Sequence, residues 1–124
     1  MKLLIVGSRS INNFDLTPHI PNETSLIISG GAIGVDTLAE KYADNHSISK
    51  IIIKPQYNIY GRSAPLKRNE EMVDMADEIL VIFSLTQATL PSLTTVIHTS
   101  LLTPPLSISL PLRSLFRAAK HVRL

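Results

Sequence analysis

Short, continuous apolar runs alternate along this chain with segments of helical spacing. Leu3-Leu4-Ile5-Val6, closed by Gly7, reads as a strand buried on both faces over residues 2–6. A second apolar run, Leu26-Ile27-Ile28, lies within a strand predicted over 24–29, and Ile51-Ile52-Ile53 gives a third, stopped by Pro55. Ile79-Leu80-Val81-Ile82 gives a fourth over 78–83. Between the second and third strands, Val35, Leu38, Ala39 and Tyr42 recur at helical spacing and predict a helix over 35–45. Ser63-Ala64-Pro65 opens another helix, with Leu66, Asn69, Val73 and Ala76 on its inner side and Met72 beside them. Residues 12–21 hold at most a short helix near 14–20, and residues 57–63 read as a loop. Strands alternating with helices predict an α/β domain, a three-layer arrangement around a mainly parallel sheet.

That topology gathers the chain's chemistry at one edge, because each loop that leaves a parallel strand does so from its carboxyl end. The most distinctive of these loops is Ser29-Gly30-Gly31-Ala32-Ile33-Gly34-Val35-Asp36. Two glycines at the end of a strand let backbone N–H groups approach a ligand, and the following helix start favours phosphate. The same feature also reads as a tight βα turn that needs glycine for its geometry alone. Gly7-Ser8-Arg9 follows the first strand, and Arg62, Lys67 and Arg68 stand in or just beyond the third loop. Tyr57 and Tyr60 are placed either to stack on a base or to pack the loop onto the sheet.

Composition narrows the classes. With 124 residues, 44% hydrophobic and 18% charged, the chain reads as one soluble globular domain. It has no cysteine, which removes disulfides and thiol chemistry and fits a cytoplasmic protein. The first apolar run is too short for a signal peptide. His19, His46, His98 and His121 show no metal spacing, and no histidine lies near Ser8, Ser29 or Ser63 in sequence to suggest a nucleophile. Glu70 and Glu71 diverge by about 100° on a helix, so they read as a solvated face rather than an acid/base pair. Asp36 reads either as a group that orients a ribose hydroxyl or polarises a water, or as an acidic residue complementing the helix dipole. Arg68 reads as a phosphate ligand or as a surface arginine paired with Glu70 or Glu71, and the Asn69 amide as a ligand contact or a cap.

The net charge of +2 hides an uneven distribution. Every Asp and Glu lies at or before Glu78, no charged residue occurs over 79–112, and no glycine follows Gly61. The chain therefore divides into residues 1–84 and an atypical segment, 85–124. The uncharged stretch over 79–102, with basic residues further on, superficially suggests a membrane span, but frequent Ser and Thr, Gln87 and Pro91 argue against one. Leu112, Leu115, Phe116, Ala119 and Val122 would share one side of a terminal helix opposite basic residues, a pattern suited to a membrane surface or nucleic acid. The preferred reading is a segment translated from a shifted frame or otherwise degenerate, which would leave a four-stranded sheet.

Four motifs in order carry a resemblance to a known family. They are Leu4-Ile5-Val6-Gly7-Ser8-Arg9, the glycine turn through Ala39, Tyr60-Gly61-Arg62-Ser63-Ala64-Pro65-Leu66-Lys67-Arg68-Asn69-Glu70-Glu71-Met72-Val73, and Ala76-Asp77 before a strand. Over roughly residues 1–83 the chain resembles the SLOG superfamily, and within it the YspA-like (cpYpsA-related) branch of stand-alone domains. That superfamily includes the Rossmann domain of DNA-processing protein A and the Lonely Guy phosphoribohydrolases. The resemblance implies a Rossmann-like sheet with a pocket for a nucleotide or nucleotide-derived ligand. Gly7, Ser8 and Arg9 match its first ligand loop, and Gly30, Gly31, Gly34 and Asp36 its second. Arg68 resembles the arginine that the phosphoribohydrolases use beside their catalytic glutamate. The chain departs from the family after Phe83, where Ser84-Leu85-Thr86-Gln87 stands in place of a glycine-rich turn and Gly-Thr.

The expected ligand-binding set is Gly7, Ser8, Arg9, Ser29, Gly30, Gly31, Ala32, Gly34, Asp36, Arg62, Arg68 and Asn69. The expected function is binding or sensing of a phosphate-bearing, nucleotide-derived small molecule, without a cofactor or metal and without a membrane. The alternatives are a nucleotide N-glycosidase of the phosphoribohydrolase kind and a single-stranded DNA module. Nucleic acid has no support in residues 1–83, and a homo-oligomer is compatible with the chain. Read in the other two frames past the Phe83 codon, the coding DNA is expected to reveal a glycine-rich turn ending in Gly-Thr; its absence from both frames defeats the shifted-frame reading.

Overall fold

In the computed structural model, which describes residues 1–85 and 93–101, five strands form one sheet in the order β3-β2-β1-β4-β5. The first four, β1 (Lys2–Gly7), β2 (Leu26–Ser29), β3 (Ser49–Ile52) and β4 (Glu78–Leu85), are parallel to their neighbours. β5 (Leu93–Ser100) runs antiparallel to β4, with Leu80 opposite His98 and Ile82 opposite Val96. Among the described residues there are two main helices, α1 (Val35–Asn45) and α3 (Ala64–Met75), with a single-turn helix α2 (Tyr57–Tyr60) between β3 and α3. The fold is α/β with a mainly parallel sheet.

Alternation along the central strands explains why both faces are covered. In β1, Leu3 and Ile5 join Ile27, Leu80 and Ile82 beneath Val35, Ala39 and Ala43 of α1. The intervening Leu4 and Val6 join Ile28, Ile79 and Val81 beneath Met72 and Val73 of α3. Side chains that alternate across a strand need apolar partners on both sides, and the continuous apolar run supplies them. Leu16 and Ile20, around a 3-10 turn at Thr17–His19, extend the α1 face. That turn is what forms within the short helix expected near 14–20.

Several expectations are corrected. The sheet has five strands, not four. β5 is rich in β-branched residues, and its Val96 packs into the α1 layer while Ile97 packs into the α3 layer. This strand lies inside the segment that composition sets apart. β3 is an exposed edge strand, with Ile51 and Ile52 only partly covered. Residues 57–63 form α2 and a 3-10 turn (Gly61–Ser63) rather than an open loop. On α3, Leu66 is exposed and Arg68 lies on the buried stripe with Ala64, Asn69, Met72 and Val73. Among the described residues no helix is long and apolar enough to cross a membrane. The amphipathic pattern over 112–124, together with Gln87 and Pro91, lies outside the described residues.

Gly7 sits where β1, β4 and α1 meet most closely. A Cβ there would overlap the Ile82 carbonyl oxygen and approach Val35 Cγ2 to 2.7 Å. Gly7→Ala is therefore expected to destabilise the domain by about 3 kcal/mol or more, because backbone rather than a side-chain tip must yield. Gly61→Ala, in open space at φ 57°, should cost only about 1 kcal/mol. Urea unfolding of the two variants, with equal midpoints as the adverse result, checks this ranking.

Candidate functional site

Loops leaving the carboxyl ends of β1, β2 and β3 converge on a cavity of about 230 Å³. Arg9 comes from the first loop, Gly30, Gly31 and Ala32 from the second, and Lys54 and Pro55 from the third. Tyr57 of α2 and Pro65 and Arg68 of α3 close the lining. None of these described lining residues is acidic, and three are cationic. An anion is the ligand that such a lining favours.

Arg68 is the most buried of the three cations. Only 5% of its surface is exposed. Its Nη1 donates to the Gly30 carbonyl oxygen at 2.8 Å and its Nε donates to Asn69 Oδ1 at 2.9 Å. These acceptors fix the guanidinium plane and leave its remaining N–H groups without a protein partner among the described residues. Burial lowers the Arg68 pKa from its ordinary value, while Asp36 and Tyr57 pull it back up. A guanidinium stays protonated at neutral pH, so the cavity keeps a fixed positive charge with donors to spare. The reading of Arg68 as a surface residue paired with Glu70 or Glu71 is overturned; Lys67 is the residue beside Glu70, at 3.9 Å.

Part of the glycine turn is satisfied from within. Gly31 N–H donates to Ser29 Oγ at 3.2 Å, Ala32 N–H to Asp36 Oδ2 at 3.1 Å, and Val35 N–H to the Ser8 carbonyl at 3.1 Å. Ser29, fully buried, also donates through Oγ to the Asp36 carbonyl at 3.4 Å. Donors at a helix start bind phosphate only if the protein leaves them free. Side-chain cations add fixed positive charge to what the cavity offers an anion. Gly34, at φ 82°, has no room for a Cβ, which would overlap the Ser8 carbonyl and the Arg9 backbone. Gly7 and Gly34 thus let the first loop and the start of α1 pack together.

Asp36 lies beneath this turn with 3% of its surface exposed. Oδ2 accepts the Ala32 N–H, whereas the buried Oδ1 has no hydrogen-bond partner. Burial pushes its pKa up to about 6, opposed by the Ala32 and Gly30 N–H groups and by Arg68, and reinforced by Glu40. It is a carboxyl held in the architecture and poorly solvated in its charged form.

Of the expected set, Arg9, Gly30, Gly31, Ala32 and Arg68 line the cavity. Asp36 and Asn69 stand behind it, bonded to lining residues. Ser8 is buried and its Oγ is 2.7 Å from Ser10 Oγ, Ser29 braces the turn, and Arg62 is exposed on the 3-10 turn outside the lining. Lys54, Pro55 and Pro65 were not anticipated. Lys54 was legible in principle, because it follows the third apolar run directly and so must leave the same sheet edge. Comparison of the chain with protein-family models, curated proteins and solved structures finds no match.

The raised Asp36 pKa has a stability consequence with a definite sign. The folded state holds this proton more tightly than the unfolded chain, so Asp36 costs nothing below about pH 4 and its full penalty applies above the folded pKa. That penalty is on the order of 3 kcal/mol at neutral pH. Asp36→Asn, which keeps an acceptor for Ala32 N–H, is expected to raise stability by about 1–3 kcal/mol at pH 7.5 and to leave it unchanged near pH 4. Chemical unfolding at both pH values tests this; a gain that is equal at both pH values contradicts it.

Proposed function

We propose that this chain binds a phosphate-bearing nucleotide or nucleotide-derived ligand at the carboxyl edge of a Rossmann-like sheet, as a binding or sensing domain of the SLOG kind. The observation that carries the reading is Arg68: a buried guanidinium, oriented by two acceptors, with unused donors in a cavity shared with Arg9 and Lys54. Charge-assisted hydrogen bonds from a fixed planar fork suit phosphate oxygens. The strand order β3-β2-β1-β4, with ligand loops at one edge, fits nucleotide-binding α/β sheets. Tyr57, 58% exposed at the mouth, offers a ring on which a base can stack. Cationic donors beside an aromatic ring are the chemistry of binding, and the reading stops there.

Nucleoside 5′-monophosphates are expected to raise the melting temperature more than the matching nucleosides do. Arg68→Gln should weaken the monophosphate by about tenfold or more while changing nucleoside affinity little, since a charge-assisted bond contributes about 1.5–3 kcal/mol. Lys54→Ala, at an exposed position, gives the same selective loss on a smaller scale and does not depend on the fold tolerating a change at Arg68. Equal losses for nucleotide and nucleoside in calorimetric titrations reject the phosphate reading.

A further inference from the structure

We propose that the Asp36 carboxyl takes up a proton when an anion settles against Arg68, so that ligand binding in this cavity is linked to pH. The inference rests on the anion-binding reading above. Its basis is the placement of two charged side chains around one glycine. A Cβ on Gly30 would lie 2.7 Å from Arg68 Nη1 and 3.0 Å from Asp36 Oδ2, so both groups converge on the same side of that residue. They nevertheless form no direct ion pair among the described residues; Arg68 spends its bonds on Gly30 and Asn69. Arg68 therefore acts on Asp36 through space, and any anion that Arg68 holds lies within reach of the same carboxyl.

The charged groups that bear on Asp36 come from two helices. Arg68 of α3 favours its ionised form, and Glu40, one turn further along α1, opposes it. From the turn beside it, the Ala32 and Gly30 N–H groups favour the carboxylate, and Arg9 acts on Arg68. Before an anion binds, the Arg68 charge is shared with no acidic side chain in the lining and helps keep Asp36 ionised. An anion in the cavity offsets that charge and adds its own. The carboxylate, nine-tenths buried and with Oδ1 lacking any donor, then gains more from a proton than from its charge. Solvent supplies the proton, Oδ1 accepts it, and Oδ2 keeps the Ala32 bond.

Titration calorimetry of the full chain with sodium sulfate, at constant ionic strength and in two buffers of different ionisation enthalpy, tests the linkage. Sulfate stays doubly charged throughout the range, so it brings no proton of its own. Uptake of roughly half a proton per sulfate is expected near pH 6.5, vanishing below about pH 5, where Asp36 is already protonated. Affinity should rise as pH falls from about 8 to 6, by no more than about tenfold per pH unit. Asp36→Asn should bind sulfate with no uptake and a flat pH profile. Uptake that persists in Asp36→Asn assigns the proton elsewhere and overturns the inference. Sulfate binding without uptake in the native chain also overturns it, while leaving the anion site standing. No sulfate binding at all removes both. If Asp36→Asn does not fold, the aspartate carboxyl 13C shifts of the native chain decide: one buried carboxyl must titrate at higher pH when sulfate is present, and no movement counts against the inference.

Discussion

Taking a guanidinium out of water is costly unless oxygen acceptors meet it inside the protein, and the arrangement of this cavity follows from how Arg68 meets that demand. One acceptor is its own neighbour, Asn69 Oδ1; the other is the Gly30 carbonyl, which stands just past the end of β2. α3 is thereby tied to the carboxyl edge of β2, with α1, β3 and α2 between them in sequence. Gly30 must stay bare for this contact, since any Cβ would intrude on the guanidinium. The first glycine of the turn thus serves a side chain of the protein as directly as it would serve a ligand.

The same economy runs through the start of α1. Its N-cap, Gly34, has no side chain to cap the helix; the Ser8 carbonyl accepts the Val35 N–H, while Ser29 Oγ and the Asp36 carboxylate accept the Gly31 and Ala32 N–H groups ahead of the helix. A carboxylate in the first turn complements the helix dipole, which is one of the two readings that sequence left open for Asp36. That carboxylate is also buried near Arg68, whose charge bears on it. Arg9, Lys54 and Arg68 supply the positive charge that this edge presents.

Legibility in the sequence followed the strength of the local signal. Val35–Asn45 formed as its spacing predicts, and β1 and β4 formed on their apolar runs, because both faces of those strands needed apolar cover. β5 carries a strand signal in its β-branched run, but it lies in an uncharged, glycine-free segment whose composition differs from that around β1, β2 and β3. The inner face of α3 was misread for a tertiary reason: its pattern makes Leu66 apolar and Arg68 polar, and only the distant Gly30 carbonyl reverses their burial. Lys54 was missed because the third loop was taken to start after Pro55, whereas β3 ends at Ile52.

The position of the cavity follows from the same contacts. In a sheet ordered β3-β2-β1-β4, the loops of β1 and β4 diverge at the switch between those strands, and ligands commonly bind in the gap so formed. Here Ser8 N–H bonds to the Ile82 carbonyl at 3.0 Å, and Val35 N–H bonds to the Ser8 carbonyl. Gly7 and Gly34 let these backbones touch with no side chain between them. β1, β4 and α1 thus meet through backbone there, and the cavity lined by Arg9, Lys54 and Arg68 opens at the ends of β2 and β3. There β2 ends in two glycines, the edge strand β3 hands on to Lys54 and Tyr57, and α3 crosses with Arg68. Glycine therefore has two uses in this fold: at positions 7 and 34 it lets backbone approach backbone, and at positions 30 and 31 it makes room for the side chains of Arg68 and Ile52.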